Sequence, residues 1–424
     1  MKVLFVNELG RGYGNVGPLV RMAKRLAAFG VKPVYALGDP VTPAAVLVEA
    51  AGPVLSAPSH PEPLRPKAGP ATYGDILACY GFGALPELRS LVSSWDALFD
   101  LVKPAFVVAS HAPTAILAAR GRYAVAAVGT GFTLPPASMP VFPALRPDTA
   151  SFRPEFQVLQ TVNALLAERG EAGLPCLPRL LAVKARLVET IGVLDPYVAV
   201  RDDPYVALSP PAGPFEPLGV HAGIFATLDM RGKEAAATVE ALGLLAEGLP
   251  VEAHLRGPGA AAAMRFLARR GAVVHERPAT MPEALNRTRV VVSQGGHGLS
   301  LLATRAGRPQ VILPQHFEAM LNGVALERVG AAKVAWGGAR DTVLEHIDWA
   351  LADGALGAGR LSQELEPQAQ WDVERFIVAF GGKVQRRKSP SDAKPKRGQR
   401  SQGSRGGVTP AGANFSTPAA KPAA

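Results

Sequence analysis

Apolar positions along the chain follow two rhythms. Short unbroken runs of Val, Ile, Leu and Ala predict buried strands of a parallel sheet. Segments with apolar residues three and four apart predict helices. Lys2–Val6 reads as a strand, Asn7–Gly17 as a Gly-rich loop, and Pro18–Phe29 as a helix that gathers Leu19, Met22, Ala23, Leu26 and Ala27 on one face. Pro18 suits a first helical position, where its missing N–H costs nothing, and Gly30 suits a left-handed C-terminal cap. Val34–Leu37 completes a strand–helix–strand unit, and further strands are predicted at Phe106–Ala109 and Ala124–Val128. Ala57–Pro70 and Pro135–Pro154 are proline-rich and read as loops. From Leu194 to Pro217 the rhythm breaks at Asp195-Pro196, Asp203-Pro204, Pro210-Pro211 and Pro214, which predicts a connection without a long helix. A second series then begins. Strands are predicted at Gly223–Leu228, Val251–Leu255, Ala272–His275, Arg289–Ser293 and Gln310–Leu313, with helices at Lys233–Glu247, Ala260–Arg270 and Leu299–Ala306. Strands alternating with helices predict an α/β fold with parallel sheets. The expected organisation is a first domain over 1–193, a linker over 194–217, a second domain over 218–382 and a tail over 383–424.

Composition refines this picture in three places. At 424 residues the chain is long enough for two cores, and 48% apolar with 6% aromatic residues makes those cores aliphatic. The net charge of +10 belongs to the tail: from Lys383 onward there are ten Lys or Arg against one Asp, which leaves about +1 for everything before it. A near-neutral body gives no reason to expect a nucleic-acid-binding fold. The tail is rich in Pro, Gly, Ser and Lys, so disorder is expected there, with weak contact to an anionic membrane surface as its functional reading. Cys79 and Cys176 stand far apart and suit buried thiols in a reducing compartment. The chain opens on a strand, with no export signal, and no apolar run reaches about 20 residues. A cytoplasmic location is expected, with a position peripheral to the inner membrane face as the further option.

The candidate chemistry lies in the second series. Ser293-Gln294-Gly295-Gly296-His297-Gly298-Leu299-Ser300 follows a strand and opens a helix at the carboxyl edge of the sheet. Its glycines permit positive φ and close backbone approach, and the free N–H groups of a helix start favour a diphosphate. His297 and Ser300 add polar groups within the first turn. The same turn could serve packing alone. Next comes Pro314-Gln315-His316-Phe317-Glu318-Ala319-Met320-Leu321-Asn322, where Glu318 and Asn322 share a helix face. A carboxylate and an amide there suit a sugar's hydroxyls, or merely a solvated helix start.

The two segments together resemble the donor signature of glycosyltransferase family 1, whose members include bacterial natural-product and plant UDP-glycosyltransferases. Asn7-Glu8-Leu9-Gly10-Arg11-Gly12-Tyr13-Gly14-Asn15-Val16-Gly17-Pro18-Leu19 is similar to the family's acceptor loop, and Ser110-His111-Ala112-Pro113-Thr114-Ala115 to a second acceptor-side segment. The resemblance covers most of residues 1–380. It implies a GT-B fold, two Rossmann-like domains facing a cleft, with metal-independent, inverting transfer of a hexose from a UDP- or dTDP-sugar to a hydroxyl of a small or lipid-like acceptor. The nucleotide-sugar is a co-substrate, and no cofactor or metal is expected. By position, His297 and the N–H groups of Gly298 to Ser300 would hold the diphosphate, with Gln294, Gly295 and Gly296 in the same turn. Glu318 would face the sugar, Asn322 the phosphate, and the loop from Arg277 the base, with Gln315 also in the donor site. Gly12, Asn15 and His111 would face the acceptor.

The family pattern is broken at three positions. Asn15 stands where many members carry a general-base His, Ser110 where its Asp partner is expected, and Ala319 where a sugar-binding Gln is usual. An amide cannot take a proton near neutral pH. His111, Glu8 and Asp75 remain as candidate bases. The alternatives are a nucleotide-sugar-binding protein without catalysis, and a sugar-nucleotide epimerase of the same fold.

Overall fold

The structure is a computed structural model. It describes residues 1–10, 12–41, 51–209, 213–216, 223–276 and 281–382. In the first half β1 (Lys2–Asn7), α1 (Tyr13–Ala27), β2 (Lys32–Leu37) and β3 (Val54–Ser56) lead to α2 (Tyr73–Leu77) and α3 (Leu85–Val102). They are followed by β4 (Phe106–Ser110), α4 (Pro113–Ala119), β5 (Val125–Gly129), α5 (Glu155–Glu168) and β6 (Ala185–Val188). The short β7 (Val206–Ala207) lies between the halves. The second half runs β8 (Gly223–Asp229), α6 (Ala235–Leu245), β9 (Val251–Arg256), α7 (Ala260–Arg269), β10 (Val273–Val274), α8 (Met281–Arg287), β11 (Thr288–Ser293) and α9 (His297–Arg305). Then follow β12 (Gln310–Ile312), α10 (Phe317–Arg328), β13 (Ala332–Val334), α11 (Arg340–Ala352), α12 (Gly354–Glu364), β14 (Ala369–Gln370) and α13 (Val373–Ala379).

The two large sheets are built alike. Their orders are β3-β2-β1-β4-β5-β6 and β10-β9-β8-β11-β12-β13, and every pairing in both is parallel. Each therefore has one point where the strand order reverses, between β1 and β4 and between β8 and β11. At such points the loops diverge and leave a crevice at the carboxyl edge. Both faces of the first sheet are covered: along β1, Leu4 and Val6 enter one apolar cluster and Val3 and Phe5 the other.

Three expectations are corrected here. Helix α1 starts at Tyr13, five residues early, and Pro18 lies inside it. Gly12, at φ 82°, makes the break that the glycine run was expected to spread over a whole loop, and burial of Val16, Leu19 and Val20 outweighs poor helix propensity. Gly30 does close the helix, at φ 78°, with its N–H on Ala27 and that of Val31 on Leu26. The boundary at 382 does not follow the packing, because Trp371, Val373, Phe376, Ile377 and Phe380 join the first half's core, Phe380 lying 4.7 Å from Phe106. Trp95, Trp336 and Trp371 stand in apolar-periodic stretches, which predicts core or domain-contact positions; Trp95 and Trp371 are buried, but Trp336 is exposed.

The expected linker contains no helix longer than a single turn among its described residues, yet it is firmly held. Arg201 and Asp195 form a buried ion pair, which Tyr205 extends with a 2.9 Å hydroxyl bond to Asp195. Asp203 joins Arg201 at 3.1 Å to Arg186 at 2.8 Å. The two guanidinium groups also donate to main-chain carbonyls beyond β5, Arg201 to Gly131 at 2.9 Å and Arg186 to Pro135 at 2.7 Å. The loop that follows β5 is thereby fixed by the linker.

Candidate functional site

At the second sheet's crevice, β11 ends on Ser293, whose hydroxyl accepts the Gly295 N–H at 3.1 Å. Gly295 has φ +73°, and a Cβ there would lie 2.8 Å from Ile312 and 3.0 Å from the Ala319 carbonyl. Only glycine fits such a turn. Helix α9 then begins at His297, two residues earlier than expected, with Gly296 as an N-cap that supplies no side-chain acceptor. The first-turn N–H groups of His297, Gly298 and Leu299 have no partner within a helix. The Ser300 N–H, expected to face a phosphate, is instead bonded to the Gly296 carbonyl at 3.0 Å. A Cβ on Gly296 or Gly298 would meet nothing within 4 Å, so the mouth of this helix is open.

Two buried polar atoms sit in that first turn without a partner, Nδ1 of His297 and Oγ of Ser300. Nε2 of His297 lies 3.1 Å from the carbonyl oxygen of Glu189 in the first half. A carbonyl only accepts, so Nε2 carries the proton and Nδ1 is bare. Burial pushes the imidazole down to about 4, against the smaller opposing pulls of the Glu189 carbonyl, the Asp195 carboxylate and the Asn322 side chain. His297 is therefore neutral at pH 7 and, as it stands, offers the crevice a lone pair and not a donor.

The other donor-side residues divide between frame and surface. Asn322 is buried and donates to the Gly295 carbonyl at 3.0 Å, so it holds the turn. Gln294 pairs with both main-chain groups of Asp229 at 3.0 and 2.9 Å, tying β11 to the end of β8. Gln315 donates to Glu234 at 2.6 Å. His316, which its place inside the donor segment would put along the cleft, caps α10 by accepting the Ala319 N–H at 3.3 Å. Glu318, one turn from Asn322, receives the Thr130 hydroxyl at 2.6 Å from the loop after β5. Burial raises its carboxyl to about 7, and that hydrogen bond offsets part of the rise. Arg277 and its loop through 280 lie outside the described residues.

Sequence reasoning missed Asp229, Arg231, Arg256, Thr130 and Glu189. Asp229 ends β8 and is held by Arg231 at 2.5 and 2.9 Å and Arg256 at 3.2 Å; these bonds, those of Arg231 above all, lower its carboxyl to about 2. Both arginines remain largely exposed at the carboxyl edge. Their position after strands β8 and β9 was a usable signal. For Thr130 and Glu189 there was none, since their roles depend on contact between the halves.

At the first sheet's crevice, the structure brings together Glu8, Gly12, Asn15 and His111. Glu8 is buried, and its Oε2 accepts the N–H groups of Thr114 at 2.9 Å and Ala115 at 3.3 Å, the first turn of α4. Burial raises its carboxyl to about 7. Asn15 donates to the Leu9 carbonyl at 3.3 Å. His111 sits at φ 47°, 6.0 Å from the Tyr73 ring and 6.5 Å from Phe132, and burial lowers it to about 4. Its Nε2 has no partner, nor have the buried hydroxyls of Ser110 and Thr114. Asp75 is occupied elsewhere: it caps α2 through the N–H groups of Ala71 and Thr72 and accepts the Ser151 hydroxyl at 2.6 Å.

No protein-family model and no curated protein sequence matches this chain. Solved structures do. The spinosyn rhamnosyltransferase SpnG complexed with thymidine diphosphate matches with a TM-score of 0.63 at 16% identity, covering 90% of this chain and 100% of that one. The glycosyltransferase VinC in complex with dTDP matches at 0.54 and 13% identity, covering 90% and 98%. SnogD from Streptomyces nogalater, also a glycosyltransferase, matches at 0.53 and 17%, covering 87% and 96%. With the two like-ordered parallel sheets, these matches show the expected GT-B fold.

Proposed function

We propose that this chain is a glycosyltransferase that binds a nucleoside-diphosphate sugar at the start of α9. It would transfer the hexose, with inversion, to a hydroxyl of a small or lipid-like acceptor. The observation that carries the reading is the open first turn of α9 at the crossover of the second sheet, where His297 Nδ1 and Ser300 Oγ are buried and unpartnered. Free N–H groups, a helix dipole and unsatisfied buried groups suit a diphosphate. SpnG and VinC, crystallised with thymidine diphosphate and dTDP, support dTDP-linked donors ahead of UDP-linked ones.

In the reaction, the acceptor oxygen bonds to the anomeric carbon as the bond from that carbon to the diphosphate oxygen breaks. Charge developing on the diphosphate is met by the helix N–H groups and, in this reading, by His297 in place of a divalent cation. Because Nδ1 is bare, His297 must take up a proton, or turn and release Glu189, when phosphate arrives. The acceptor's proton needs a base near β1 and β4. Glu8 suits this role better than His111, since a carboxyl titrating near 7 is a better-matched proton acceptor than an imidazole held neutral down to about 4. A second reading, a nucleotide-sugar binder without transfer, is favoured by one observation: the Asn15 amide is turned back onto Leu9.

The test is calorimetric titration with dTDP-glucose and UDP-glucose, with and without EDTA, on the wild type and His297→Ala. Binding of one series, unaffected by EDTA, weakened about tenfold or more in the variant and accompanied by proton uptake near pH 7, is the expected result. Binding by neither series at millimolar concentration would remove the donor site from α9. If binding holds, failure of every hydroxylated acceptor screened would favour the non-catalytic reading.

A further inference from the structure

The side chain assigned to the sugar is already engaged. Thr130 Oγ1 donates to Glu318 Oε1 at 2.6 Å, and its own oxygen accepts the Thr133 N–H at 3.1 Å. The single hydroxyl proton of Thr130 is thus committed to the carboxylate, and the Thr133 hydroxyl, 3.1 Å away, supplies its own proton to Thr130. Thr130 is also held in place. Its N–H bonds to Thr133 Oγ1 at 2.8 Å. The carbonyl of Gly131, next in line, accepts a hydrogen bond from Arg201 at 2.9 Å, and a Cβ on Gly131 would press within 2.6 Å of Asp195. The hydroxyl is therefore presented by a rigid loop and is not a mobile side chain that happens to touch. On the other side of the contact, Phe317 packs on Phe132 at 5.6 Å, and Leu321 joins the first half's apolar cluster. The first turn of α10 is docked as a unit against the first half.

A hydroxyl donating to a carboxylate is what a sugar would offer at the same place. Resting on the donor-site reading, we infer that Thr130 is a specificity-determining residue: it occupies Glu318 as a surrogate for a sugar hydroxyl, and is displaced only by a nucleotide whose sugar carries a hydroxyl at that position. A nucleoside diphosphate without a sugar has nothing to place on Glu318 and leaves the Thr130 bond intact. The first half thereby keeps its bond to Glu318 beside a spent nucleotide and gives it up to a sugar-loaded one, which lowers the affinity for the sugar-loaded form alone, and the linker network that fixes Gly131 holds the competing hydroxyl in place.

The experiment measures affinities for dTDP and dTDP-glucose, or for UDP and UDP-glucose if that series binds, in the wild type, Thr130→Val and Thr130→Ser. Thr130→Val removes the competing donor while keeping the shape. The sugar nucleotide should bind about tenfold tighter, the equivalent of one charged hydrogen bond, while the affinity for the sugar-free nucleotide should be unchanged. Thr130→Ser should restore wild-type values. Equal changes for both ligands, or no change for the sugar nucleotide while the sugar-free nucleotide still binds, would overturn the role of Thr130 and leave the donor site standing. Loss of binding by both ligands already in the wild type would remove the donor site and this inference with it.

Discussion

The two halves share a strand order but fill the crevice at its reversal in opposite ways. After β4 and after β11 the backbone makes the same turn: a left-handed residue, then the N-cap, then the helix. In the first half the left-handed residue is His111 and in the second it is Gly295. Helix α4 then starts with Pro113, which has no N–H, and its next two N–H groups are taken by Glu8. Helix α9 starts with three free N–H groups, and the acid at the end of β8, Asp229, is neutralised by Arg231 and Arg256 instead of reaching across. One half has built its anion into the chain, and the other leaves the place open. The same topology thus allows an external diphosphate on one side only.

The largest expected effect comes from removing the built-in anion. Glu8→Ala strands two buried N–H groups at about 1–3 kcal/mol each, so a loss of about 3 kcal/mol in urea unfolding is expected. Glu8→Gln keeps an acceptor oxygen and should lose much less. A loss below about 1 kcal/mol for Glu8→Ala would mean that water serves α4 as well as Glu8 does, and the contrast between the halves would weaken.

Exchanging the left-handed residues is the next test. Gly295→Ala adds a Cβ at φ +73° against Ile312, and should destabilise by about 2 kcal/mol. At His111 the sign reverses between two substitutions. His111→Gly should be more stable than His111→Ala by about 1 kcal/mol, because only alanine inherits the strained φ of 47°. Equal stability of the two variants in chemical denaturation would show that the turn after β4 relaxes.

How much of this was legible beforehand follows the same division. Nine of the twelve strands of the two large sheets, with α6 and α7, were readable to within a residue or two, because burial on both faces writes unbroken apolar runs; the edge strands β3, β6 and β13 were not predicted. The turn at Ser293–Ser300 was readable because glycine spacing reports backbone geometry directly. The start of α1 was not, since Gly14 and Gly17 ahead of Pro18 argue locally against a helix that tertiary packing then enforces. The fates of Gln294, Asn322 and His316 were also hidden. A polar residue at a strand's carboxyl end looks the same whether it faces a ligand or braces a loop, and only the geometry assigns these three to bracing. Thr130 and Glu189 lie further still from sequence reading, since their partners, Glu318 and His297, are 188 and 108 residues away.

In titration the halves match where in geometry they differ. Each crevice holds one carboxyl raised to about 7, Glu8 or Glu318, and one imidazole lowered to about 4, His111 or His297. The raised carboxyls contribute stability that is full below about pH 4.5 and is lost as pH rises through 7. The lowered imidazoles contribute stability that is full above about pH 6.5 and is lost as pH falls through 4. Between these limits the folded state holds about two extra protons on the carboxyls and about two fewer on the imidazoles, so their slopes oppose. Together these four groups should leave stability nearly flat from pH 4.5 to 6.5. Glu318→Gln removes one falling slope, and its melting temperature should climb relative to the wild type by on the order of 1–2 °C across that range. His297→Ala should drift by a similar amount the other way. The smallness of the effect is part of the prediction, because a chain this long has a large unfolding entropy, over which a change in free energy moves the melting temperature little. A Glu318→Gln profile parallel to that of the wild type would mean that Thr130 keeps the carboxylate charged throughout, and that its hydrogen bond outweighs the burial of Glu318.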